Sequence, residues 1–138
     1  MSMHNYAMND FGMIVEDNEF DILITKMKAL AVAEGTCEPD EDIGIDAIEY
    51  DDFMDCEHDR CYCTDVENPE FQTMEGEWHT LSEDFVFFSA FKGPKIIGVA
   101  YNSKEEILQE FKEDLGKYFP EDFDWEKHIG FVHGVLWA

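Results

Sequence analysis

Residues 85–118 read FVFFSAFKGPKIIGVAYNSKEEILQEFKEDLGKY, and this stretch decides the fold class. The apolar run Phe85 to Phe91 suits a buried strand, and Lys92-Gly93-Pro94 turns it toward Lys95 to Tyr101, predicting a β-hairpin. Ser103-Lys104-Glu105-Glu106 then has the form of a capping box, in which a hydroxyl and a carboxylate satisfy the first free helix amides. Ile107, Leu108, Phe111, Leu115 and Tyr118 recur at helical spacing, and Pro120 limits the helix. Strand pairing followed by an amphipathic helix is the signature of an α+β domain.

The final strand spans Ile129 to Trp137, with Phe131, His133 and Val135 on one face and Val132, Gly134 and Leu136 on the other. Near the beginning, Phe11 to Val15 is a short strand. Asp17-Asn18 offers N-cap oxygens to a helix whose stripe is Phe20, Leu23, Ile24, Met27, Leu30 and Ala31, with Gly35 at its end. The strand-then-helix units starting near Phe11 and Lys95 echo each other in pattern. The expected architecture is a single two-layer α+β domain over residues 1–138: a mostly antiparallel sheet, two main helices on one face and an acidic central insert.

Charge is the most informative feature. The chain of 138 residues holds 33 Asp and Glu against 9 Lys and Arg, a formal net charge of −24. Residues 34–91 contain nineteen of those acids and one base, Arg60, and so carry −18 of the −24. Such a balance excludes a conventional nucleic-acid binder, which needs a basic footprint, and opposes docking on anionic lipid. Twelve Phe and 45% hydrophobic residues supply a core, so the acidity does not imply wholesale disorder.

Within the acidic segment, Asp46 and Glu49 suit the start of a helix on which Ile45 staples onto Tyr50. Asp51, Asp55 and Asp59 then fall at i, i+4 and i+8, with Asp52 beside them. Like charges in this row repel. Solubility alone explains such a row, and so does a cationic partner that meets it. On the second reading the partner-binding residues are Asp40, Asp42, Asp51, Asp52, Asp55 and Asp59. Crowding on a −24 body is also expected to raise carboxylate pKa values.

Cys56, His58, Cys61 and Cys63 form the one metal-like constellation, an S₃N set that suits tetrahedral zinc. Their spacing lacks the paired C-x2-C knuckles of common zinc modules, and Asp55, Glu57 and Asp59 disfavour thiolates there unless a cation compensates. The same four residues also read as three small thiols and a surface histidine. Zinc is the one cofactor in view. A small zinc-binding structural or adaptor domain is the alternative function. The calcium-like run Asp40 to Asp46 fails the EF-hand pattern, since with Gly44 at position six, position one is Pro39 and position twelve is Tyr50.

No nucleophile elbow, metalloprotease helix or phosphate-binding loop is present, since Gly93 and Gly98 are followed by Val99-Ala100 where Lys-Ser/Thr is required. His79, His128 and His133 stand alone in sequence, and Trp78, Trp125 and Trp137 read as core or edge packing. A non-enzymatic protein is therefore expected. The first residues lack a basic region followed by an apolar stretch, and no apolar run spans a bilayer, so a reduced, cytoplasmic setting is expected.

The arithmetic of charge suggests a role. Duplex DNA carries one charge per ~1.7 Å of axis, so 24 charges correspond to ~40 Å, or about twelve base pairs. A compact domain of this length has a radius of gyration near ~14 Å and a span of roughly 35–40 Å. In charge, the composition resembles the acidic DNA mimics found among antirestriction and anti-CRISPR proteins, with no shared motif. The resemblance implies an inhibitor that occupies the basic channel of a DNA- or RNA-binding protein, without touching nucleic acid or membrane itself.

Overall fold

The computed structural model describes residues 5–44, 60–63, 66–82, 84–92, 95–96 and 103–137. Its centre is a six-stranded antiparallel sheet in the order β2-β5-β1-β8-β3-β4. The strands are β1 (Asn5–Glu16), β2 (Arg60–Cys63), β3 (Val66–Thr73), β4 (Trp78–Thr80), β5 (Phe85–Ser89) and β8 (Ile129–Trp137). Two short strands, β6 (Phe91–Lys92) and β7 (Lys95–Ile96), form a separate ribbon. The main helices are α1 (Phe20–Glu34) and α2 (Lys104–Leu115), followed by one turn, α3 (Trp125–His128).

Helix α1 follows β1 through a 3-10 turn, Asp17–Glu19. Glu16 and Glu19 cap that turn reciprocally, displacing the expected Asp17 and Asn18. The helix ends at Gly35 in the left-handed region (φ 80°), whose amide returns to the carbonyls of Ala31 and Val32. Leu23, Met27 and Ala31 form its buried stripe, and Phe20 and Leu30 lie at the margin of the core. Helix α2 starts where its cap predicts, with the Ser103 hydroxyl accepting from the Glu106 amide at 3.2 Å. Leu108, Phe111 and Leu115 face inward.

Both helices pack on one face of the sheet. There Met13, Val15, Val86, Phe88 and Ile129 meet Leu23, Met27, Leu108, Phe111, Leu115 and Tyr118 in one cluster. Alternation sends Ile14, Phe71, Phe85, Phe87 and Val132 into a second apolar cluster on the opposite face. Strand β5 is therefore apolar from Phe85 to Phe88 because those residues are buried on both sides.

Of the expected hairpin the described residues show a two-pair ribbon, and residues 97–101 lie outside them. Strand β5 pairs with β1 and β2, and β6–β7 contributes two residue pairs, Phe91 with Ile96 and Lys92 with Lys95. The break comes at Ala90, whose amide donates to the Phe11 carbonyl at 3.0 Å. The two strand-then-helix units are accordingly not equivalent, since β1 lies inside the main sheet and β7 in the small ribbon. The acidic stretch 34–91 is not all an insert, since it supplies β2, β3, β4 and β5 of the main sheet; the part between α1 and β2 is the inserted portion, and residues 35–44 of it are described. The expected helix beginning at Asp46 lies outside the described residues.

Candidate functional site

The first acidic surface begins at the end of α1. Glu34, Glu38, Asp40, Glu41 and Asp42 are all exposed within nine residues. The segment is held locally. Thr36 returns to the Ala31 carbonyl through its amide at 2.9 Å and its hydroxyl at 3.2 Å, and the Glu41 carboxylate accepts from the Glu38 amide at 3.5 Å. Cys37 anchors the segment by burying its side chain. Burial and the nearby Glu41 carboxylate push its thiol pKa up, so it stays protonated. Among the described residues, none of these five carboxylates forms an ion pair.

Of the expected partner-binding residues, Asp40 and Asp42 therefore stand on an exposed, anchored segment, while Asp51, Asp52, Asp55 and Asp59 lie outside the described residues. Of the expected metal ligands, Cys61 and Cys63 lie in the edge strand β2, paired with Phe87 and Phe85, and Cys56 and His58 lie outside the described residues. Among the described residues, no three His, Cys, Asp or Glu side chains gather as a metal-binding group.

A second surface is built by the sheet where Trp78 and Phe131 are exposed. Cross-strand pairing aligns Trp78, Gln72, Phe131 and Phe11 in one row across β4, β3, β8 and β1. The next row is Thr80, Glu70, His133 and Asn9. Partners in an antiparallel pair share a face, and β8 alternation from buried Ile129 places both rows on the helix side. Trp78 is 54% exposed and Phe131 39%. The rings form a connected series: Phe11 to Phe131 at 5.0 Å, Phe131 to His133 at 6.2 Å and His133 to Trp78 at 4.8 Å between centroids. His133 Nε2 is buried there and finds no hydrogen-bond partner among the described residues.

His128 has a structural role. His128 Nε2 lies 2.7 Å from Glu19 Oε2, and Nδ1 lies 2.7 Å from the Asp124 carbonyl oxygen. Burial alone would lower the His128 pKa, but the hydrogen bonds to Glu19 and Asp124 outweigh it and raise the value above 6.5. For Glu19, burial opposes ionisation, and the His128 contact overcomes it and lowers the pKa below 4.5. Lys104 joins Glu75 at 2.6 Å and Glu126 at 3.2 Å, tying the β3–β4 turn and α3 to the start of α2. Its hydrogen bond to Glu75 lowers that carboxyl's pKa. The shifts at Glu19 and Glu75 thus run opposite to the rise expected from crowding, because each has found a cation.

A shallow open hollow beside α1 is walled by Asp21, Ile22, Thr25, Lys26, Ala29 and Pro120 and is lined mainly by apolar surface. No described helix is long and apolar enough to cross a membrane. No family model matches the chain, and the comparisons with curated proteins and with solved structures gave no match either.

Proposed function

We propose that the protein is a non-enzymatic, acidic binding protein that acts by occupying the basic nucleic-acid channel of a DNA- or RNA-binding partner. The observation that supports the reading is the exposed run Glu34, Glu38, Asp40, Glu41 and Asp42, free of ion pairs among the described residues. It opens a segment of sequence, residues 34–91, with one base for nineteen acids. Carboxylates that a fold needs for itself find cations, as Glu19 and Glu75 do. Carboxylates left bare in a row carry a cost in repulsion that a cationic partner removes.

The test is a pull-down from the native cell, followed by competition between the recovered partner's nucleic acid and this protein. Binding is expected to be competitive and to weaken steeply as salt rises. Changing Asp40, Asp42, Asp51, Asp52, Asp55 and Asp59 together to Asn should weaken it by about tenfold or more while the domain stays folded. A recovered partner that ignores nucleic acid, or undiminished binding by the neutralised variant, would overturn the proposal.

A further inference from the structure

We infer that the open aromatic stretch of the sheet, centred on Trp78, Phe131 and Glu70, is a docking face for an arginine-bearing segment of a basic protein. The inference rests on the reading above and names the chemistry of one contact within it.

Trp78 and Phe131 are two of three large apolar side chains exposed among the described residues, and His133 joins them into one surface. β4 is an edge strand among the described residues and all three of its residues are exposed, so the surface is reachable from the side. Glu70 lies in the same plane, opposite His133 on one side and Thr80 on the other. Neither of the two rows that make the surface contains a Lys or Arg.

That composition selects among occupants. An apolar partner would bury the Glu70 carboxylate without a counter-charge, at a large desolvation cost. A second copy would bring two bodies of −24 together. Nucleic acid would meet the same repulsion. A guanidinium satisfies both halves of the surface at once. Its flat face stacks on the Trp78 indole, and its N–H groups donate to Glu70. A lysine ammonium is more strongly hydrated and lacks the planar fork, so it gains less from the ring.

The experiment uses the full chain with labelled nona-arginine and nona-lysine peptides, read by fluorescence anisotropy at about 0.15 M salt. The arginine peptide should bind more tightly. Trp78→Ala should weaken it about threefold to fivefold and change lysine binding less than about twofold, with Trp78→Phe intermediate. If Trp78→Ala lowers the melting temperature, Glu70→Gln replaces it, and the arginine preference must shrink there too. Equal binding of the two peptides, unaffected by either substitution, overturns this inference and leaves the acidic reading standing. Failure of both peptides to bind overturns both. Self-association that Trp78→Ala abolishes assigns the surface to a second copy and also overturns the inference.

Discussion

Gly12 of β1 stands directly opposite Gly130 of β8, and the tips of two aromatic rings fill the room their side chains would take. A Cβ on Gly12 would come within 2.8 Å of Cζ of Phe87, and one on Gly130 within 3.0 Å of Cζ of Phe71. Each would also collide with a main-chain oxygen, of Phe88 and Gln72 respectively, which cannot rotate aside. The pair therefore lets the far-face rings close over the middle of the sheet.

Gly12→Ala and Gly130→Ala are each expected to destabilise the domain by about 3 kcal/mol, the upper end of overpacking effects. Urea denaturation read by circular dichroism checks this. A loss below about 0.5 kcal/mol, the size of an ordinary surface change, would mean that the rings do not occupy that space.

The His128–Glu19 contact predicts a bounded pH effect. His128 has a raised pKa, so its contribution is complete below 6.5 and disappears as pH climbs through its folded value. Glu19 has a lowered pKa, so its contribution is complete above 4.5 and disappears as pH falls through its folded value. The contact is at full strength between those limits. Melting temperature should rise from pH 8 to pH 6, and His128→Asn should remove about 1–2 kcal/mol at pH 6 and much less at pH 8. A variant whose deficit is the same at both values would show that His128 acts by packing alone.

The Ser103 cap is testable alone. Ser103→Ala should lower stability by about 1 kcal/mol, while Ser103→Asp retains the acceptor and costs little. Equal losses in the two variants would mean that the hydroxyl's bond to the Glu106 amide is not what matters.

Repulsion across a body of −24 predicts a response to salt. Added sodium chloride, to about 0.3 M, should raise the melting temperature by shortening the screening length below 10 Å. A fall would show that the ion pairs of Lys104 and His128 outweigh the repulsion that salt relieves.

Helices were the most legible part of the sequence, because Leu23-Met27-Ala31 and Leu108-Phe111-Leu115 repeat at the helical period and their ends carry local punctuation. Strand β5 was legible as a strand, but its partners were not. The run beside Lys92-Gly93-Pro94 suggested the following segment, whereas burial on both faces is achieved between β1 and β2. Distance in sequence hid the rest. Glu19 and His128 are 109 residues apart, and no local pattern joins them. Alternation along β8 puts Phe131 and His133 on one side, but Trp78 reads as core or edge packing until β4 is seen at the sheet margin. Asp40 and Asp42 were legible as surface residues because acids with no nearby base have no reason to be buried.

The pairing of β1 with β8 has a consequence for how the chain is made. Nine residue pairs join Asn5–Met13 to Ile129–Trp137 at the centre of the sheet, so its innermost strand waits for a partner translated more than a hundred residues later. On the ribosome, β1 and α1 emerge long before anything can complete the sheet beside them. Assembly of the domain is then a late, non-local event, with loop closure across the chain preceding its main reward.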